Sequence, residues 1–89
     1  MDNSFAKQEQ FINRPQYKMR LENKQLELKP RISKRQIKRI YIYNTINEKM
    51  GEFSRKNLLL NLNAYPAGHY ILHVQLKDGK TLVDNFLLK

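Results

Sequence analysis

From residue 17 onward, apolar and polar residues alternate with a period of two, the pattern of half-buried strands. Tyr17, Met19 and Leu21 alternate with Lys18 and Arg20, and Leu26 and Leu28 with Gln25, Glu27 and Lys29. The link Glu22-Asn23-Lys24 is short and polar, and Asn23 suits a left-handed backbone, so these two runs predict a hairpin. Ile40 and Ile42 then point one way, and Arg39, Tyr41 and Tyr43 the other. Residues 44–48 are polar enough to turn, and 49–53 return as a short strand. Leu58, Leu60 and Leu62 alternate with Leu59 and Asn61. Tyr65-Pro66-Ala67-Gly68 is a turn, since Pro presets one dihedral and Gly frees another. Tyr70, Leu72, Val74 and Leu76 form the cleanest apolar stripe. Asp78-Gly79 signals a tight hairpin before a last strand over residues 81–88, with Leu82, Phe86 and Leu88 on one face. About seven short strands at this spacing predict an all-β chain. A small antiparallel β-sandwich or barrel spanning 17–89 is expected.

Residues 1–16 lack this alternation. Phe5, Phe11 and Ile12 would line one side of a short helix capped by Ser4 and ended by Arg14-Pro15. So short a helix is weak alone. The segment is expected to be an extended or partly helical arm that orders on a surface, its two Phe residues suited to docking.

Composition narrows the class. Hydrophobic residues make up 40% and charged residues 28%, which fits a folded domain rather than a disordered chain. At 89 residues that is one small domain. No apolar run is long enough for a transmembrane helix. The start Met1-Asp2-Asn3-Ser4-Phe5 lacks the basic and apolar regions of a signal peptide, so a cytoplasmic location is expected. With no cysteine there is no disulfide frame, thiolate chemistry or finger-type zinc site.

Charge changes the picture most. The net charge is +9. Residues 1–40 carry eleven Lys/Arg against four Asp/Glu, a net of +7, whereas 41–89 carry six against four, a net of +2. The surplus peaks over residues 29–39, where six of eleven residues are basic and none acidic. Cations near phosphates release condensed counterions, so such a stretch favours nucleic acid. A solvated basic loop without a partner is the bland alternative. Arg14, Lys18, Arg20, Lys29, Arg31, Lys34, Arg35, Lys38 and Arg39 are the expected RNA-phosphate contacts. Tyr41 and Tyr43, on one face with Arg39, have the chemistry to stack on bases. Packing on both faces of a central strand also accounts for the two tyrosines, and is the simpler reading. No aromatic RNP signature or GXXG loop is present.

Catalytic and metal chemistry find little support. His69 and His73 fall four apart in a strand, roughly 13 Å, too far for one ion. Asp78 is explained by its turn, and Asp84 sits among apolar strand residues. No Ser–His–Asp order or glycine-rich phosphate loop is present. Neither an enzyme, a cofactor, a small-molecule substrate nor a metal is expected.

Residues 36–89 also carry three features of a known family. They are Ile37-Lys38-Arg39-Ile40-Tyr41-Ile42-Tyr43-Asn44, Leu62-Asn63-Ala64-Tyr65-Pro66-Ala67-Gly68-His69-Tyr70, and Asp78-Gly79-Lys80 with the ending Phe86-Leu87-Leu88-Lys89. This part resembles the C-terminal sorting domain of proteins exported by the type IX secretion system of Bacteroidota. Those features match its "I-Y-N" strand, its "L-P-A-G-x-Y" turn and its "D-G … K-F-x-x-K" ending. The resemblance implies an Ig-like β-sandwich. The family's early "Y-P-N-P" is missing, and Asn47 stands where it has Gly, although Asn tolerates a left-handed turn.

The small size, the charge and the signal-less start lead to a first functional expectation. It is a basic, structural RNA-binding protein docking on rRNA beside neighbouring ribosomal proteins, without base specificity. Given the Bacteroidota resemblance, a lineage-specific accessory ribosomal protein is the concrete form. The alternative expectation is a type IX sorting domain acting by protein–protein recognition, secreted or at the cell surface.

Overall fold

The computed structural model describes residues 10–89. Eight strands follow in order: β1 (Gln10–Asn13), β2 (Tyr17–Glu22), β3 (Gln25–Pro30), β4 (Ile37–Asn44), β5 (Lys49–Phe53), β6 (Leu59–Asn61), β7 (Gly68–Leu76) and β8 (Thr81–Leu88). A 3-10 turn, Lys34–Gln36, leads into β4. Two four-stranded antiparallel sheets, β1-β2-β3-β6 and β5-β4-β7-β8, form a β-sandwich. The chain changes sheet between β3 and β4, β5 and β6, and β6 and β7. Setting β1 aside, three strands face four in the manner of an Ig-like sandwich.

Each inward row is one of the apolar stripes of the sequence. Tyr17, Met19 and Leu21 with Leu26, Leu28, Leu60 and Leu62 line one inner face. Ile37, Ile40 and Ile42 with Tyr70, Leu72, Val74, Leu76, Phe86 and Leu88 line the other. Burying one such aliphatic side chain contributes about 1.5–3 kcal/mol. The two inner faces close on each other because neither sheet has another way to remove its stripe from water.

Local chemistry sets the turns. Asn23 (φ 52°) and Lys24 (φ 60°) are both left-handed and close the β2–β3 hairpin as a two-residue turn. Asn47 (φ 66°) is left-handed as well, a conformation that Asn tolerates better than most residues. Tyr70, near the start of β7, donates its hydroxyl to the Pro66 carbonyl at 2.5 Å. A tyrosine reaching back to the backbone a few residues upstream at this corner is a hallmark of Ig-like sandwiches.

The eight described strands agree with the seven or so expected, and one expectation changes. Residues 10–13, expected to end a short helix, form edge strand β1 instead. The open edge of β2 supplies a hydrogen-bonding partner, and alternation then separates Phe11 and Ile12. Ile12, opposite Met19, packs against the core, while Phe11, opposite Arg20, is 52% exposed. Ser4 and Phe5, on which the helix start was placed, lie outside the described residues.

Candidate functional site

One end of the sandwich gathers cations from three separate stretches of chain. The β3–β4 connection brings Arg31, Lys34 and Arg35, and Ser33 caps its 3-10 turn by accepting from the Arg35 amide at 3.2 Å. The link from β5 to β6 brings Arg55 and Lys56. Arg55 donates to the carbonyls of Arg35 and Ile37, both at 3.3 Å, which ties this link to the first. The β7–β8 turn brings Lys77 and Lys80, and the Lys77 amide donates to the Gln36 carbonyl at 2.9 Å. Lys38 shares a shallow depression with Lys80, Gly79 and Gln75.

A register shift between Ile37 and Arg39 decides how Lys38 is displayed. Strict alternation would turn Lys38 toward the core between Ile37 and Ile40. The bulge takes up the extra residue, and Lys38 and Arg39 both stand exposed. Asp78 is the acidic residue of this end. Its carboxylate accepts from the Lys80 amide at 2.9 Å and so shapes the turn.

The basic surface continues onto the outer face of β2 and β3. Lys18 lies directly opposite Lys29, a cross-strand like-charge pair that costs stability unless an anion lies over it. Neither forms an ion pair among the described residues. Arg31 donates to Asn13 Oδ1 at 2.9 Å, which holds its guanidinium beside them.

Three expected contacts form ion pairs within the molecule. Arg14 makes a two-pronged pair with Asp84, Nε to Oδ2 at 2.8 Å and Nη2 to Oδ1 at 2.7 Å, and donates to the Val83 carbonyl at 2.7 Å. Tyr17 also donates to Asp84. Burial alone would push the Asp84 carboxyl up, but hydrogen bonds from Arg14 and Tyr17 outweigh it and hold it below the usual range. The same bond to Asp84 raises Arg14. Burial, then the Asp84 bond, raises the Tyr17 phenol. Arg14 is therefore a clasp between the sheets. Arg20 pairs with Glu22, and Arg39 with Glu52 at 3.4 Å.

Tyr41 and Tyr43 turn away from the core, since Ile40 and Ile42 hold the inward positions of β4. Both are half-buried there. The rings lie on the outer face of the β5-β4-β7-β8 sheet, 6.2 Å apart, with His73 at 4.6 Å from Tyr43. His69 and His73 both project from this outer face, with Leu87 opposite the first and Val83 opposite the second. No group of three or more His, Cys, Asp or Glu is gathered for a metal ion among the described residues.

Arg55, Lys56, Lys77 and Lys80 belong to this end yet escaped the charge reading, because each lies in a stretch too short to stand out. Their only signal was position in turns, and the topology that stacks those turns is not local. Neither family models, curated proteins nor solved structures match this chain. No described helix is long and apolar enough to cross a membrane.

Proposed function

We propose that this chain is a non-catalytic RNA-binding protein that docks on rRNA through the basic end of its sandwich. One observation carries the reading: loops from three parts of the sequence converge to set Lys34, Arg35, Lys38, Arg55, Lys56, Lys77 and Lys80 at one end, with Asp78 tied into its own turn. A cluster of like charge built by the fold itself, on a chain of net charge +9, is stabilised by a polyanion. Contacts of this kind go to phosphates and carry no base specificity. The particular form we assign is an accessory, lineage-specific ribosomal protein in the cytoplasm, with rRNA and neighbouring ribosomal proteins as partners. Gradient sedimentation of native lysate tests it. Co-migration with one ribosomal subunit, weakened by raised salt, is expected, and absence from every heavy fraction overturns it.

A second reading has its own support. The Leu62–Tyr70 stretch that resembles a type IX sorting domain forms the tyrosine corner, with Tyr70 bonded to Pro66. Under this reading the sandwich is recognised by a protein partner outside the cytoplasm. Recovery of the chain from envelope or medium as the tail of a larger product would favour it over the first.

A further inference from the structure

Glu52 sits opposite Tyr41 on the outer sheet face and accepts ion pairs from both sides, from Arg39 at 3.4 Å and Lys49 at 3.2 Å. Lys49 Nζ lies 5.4 Å over the Tyr41 ring. Next to it Tyr43 and His73 lie 4.6 Å apart, on neighbouring strands β4 and β7. This face thus presents three neighbouring aromatic rings, flanked by two cations whose shared counter-charge is one exposed carboxylate. From this arrangement we infer that the face is a stacking platform for unpaired nucleotides, contiguous along β4 with the basic end. The inference rests on the RNA reading above and names which RNA is held: a single strand beside the phosphates gripped at the end.

Three arguments choose this occupant. The ring centres of Tyr41 and Tyr43 are 6.2 Å apart, about twice the 3.4 Å rise of stacked bases, so one base per ring requires a splayed strand rather than a duplex. A sheet face reaches unpaired bases, whereas the deep groove of a duplex RNA hides its edges from side chains. A second copy of this chain would bring Arg39, Lys49 and the basic ends of two +9 molecules toward each other. Glu52 then acts as an internal stand-in for a phosphate, holding Arg39 and Lys49 beside the rings until a backbone phosphate replaces it.

The test uses a labelled short oligoadenylate single strand and a blunt RNA duplex of equal length, titrated with the full chain. The chain has five tyrosines and no tryptophan; Tyr17 and Tyr70 are buried and Tyr65 is tied to the Met50 carbonyl, so the part of the quenching lost on changing Tyr41 and Tyr43 reports on this face. The single strand is expected to bind more tightly and to quench. Tyr41→Thr with Tyr43→Thr removes two stacked bases and should weaken its binding about 30-fold or more, leaving the duplex unchanged. Glu52→Gln keeps both rings and should tighten single-strand binding severalfold. Equal binding of both RNAs without quenching, or an unmoved Glu52→Gln affinity, overturns the platform and leaves phosphate binding standing. Failure of the unaltered chain to bind either RNA in a salt-dependent way overturns both. Self-association abolished by the double tyrosine change, with RNA affinity unmoved, overturns the inference and assigns the face to a second copy.

Discussion

Arg14 and Asp84, seventy residues apart, form a two-pronged ion pair that ties the N-terminal end of one sheet to the last strand of the other. The pair lies at the side of the sandwich where β1 and β8 are the edge strands. Arg14 also covers the Val83 carbonyl, and the Gln10 side chain bonds both the amide and the carbonyl of Leu87. Side chains of β1 and of Arg14 just after it thus satisfy backbone groups of β8 that would otherwise template pairing with another chain.

Asp84→Asn is expected to cost about 2 kcal/mol at neutral pH, since it leaves Arg14 without its counter-charge in a site where Asp84 is only 10% accessible. The pH dependence follows from the lowered carboxyl. Its unfolded value is about 3.9, so its contribution is whole above about pH 5 and is lost as pH falls through the lower folded value. Urea titrations across the acid range should show a flatter loss in the variant than in the parent. At the alkaline end the raised Tyr17 phenol works in the opposite sense. Its contribution is whole below about pH 10 and falls as pH rises beyond it.

The basic end is one surface only if its loops act together. Replacing Lys77 and Lys80 with Gln should therefore weaken RNA binding as much as replacing Lys34 and Arg35, although the two pairs are far apart in sequence. Each pair should also reduce the salt slope by about 0.7–0.9 for each phosphate contact removed. Fluorescence anisotropy at several salt concentrations measures both. A loss confined to the Lys34/Arg35 variant would show a local basic loop rather than a composite surface.

Gly51 faces Ile42 across the β4–β5 pair, where a Cβ would overlap the Tyr65 hydroxyl and press on the Phe53 ring at 2.9 Å. That hydroxyl donates to the Met50 carbonyl at 3.2 Å and closes this edge. Gly51→Ala should cost about 1–3 kcal/mol, read as a lower urea midpoint.

Lys24 holds φ at 60° without being glycine. Lys24→Gly gives the hairpin the Asn-Gly pair that such turns prefer and relieves the left-handed strain, offset in part by the entropy of glycine. A gain of about 0.5–1 kcal/mol is expected in thermal unfolding. A loss would mean that Lys24 makes a contact worth more than the strain.

The strands and their inward rows were legible in the chain because alternation is a local property: Leu72 and Val74 declare their face within a few residues. The same holds for the turns at Asn23, Asn47 and Gly79, whose positive φ values suit their residue types. Gln10–Asn13 was not legible as a strand because four residues carry too little period, and what makes them one is the edge of β2.

By itself, then, the sequence determined an all-β domain, the composition of its core and a surplus of positive charge in its first half. Only tertiary structure decided which charges stand together. It withdrew Arg14 into a clasp with Asp84, lifted Lys38 out through a bulge, and set Lys77, Lys80 and Arg55 beside the Lys34–Gln36 turn. The reason is physical. Alternation depends on neighbours along the chain, whereas electrostatic grouping depends on distance through space, and the sheet crossings of the sandwich set that distance.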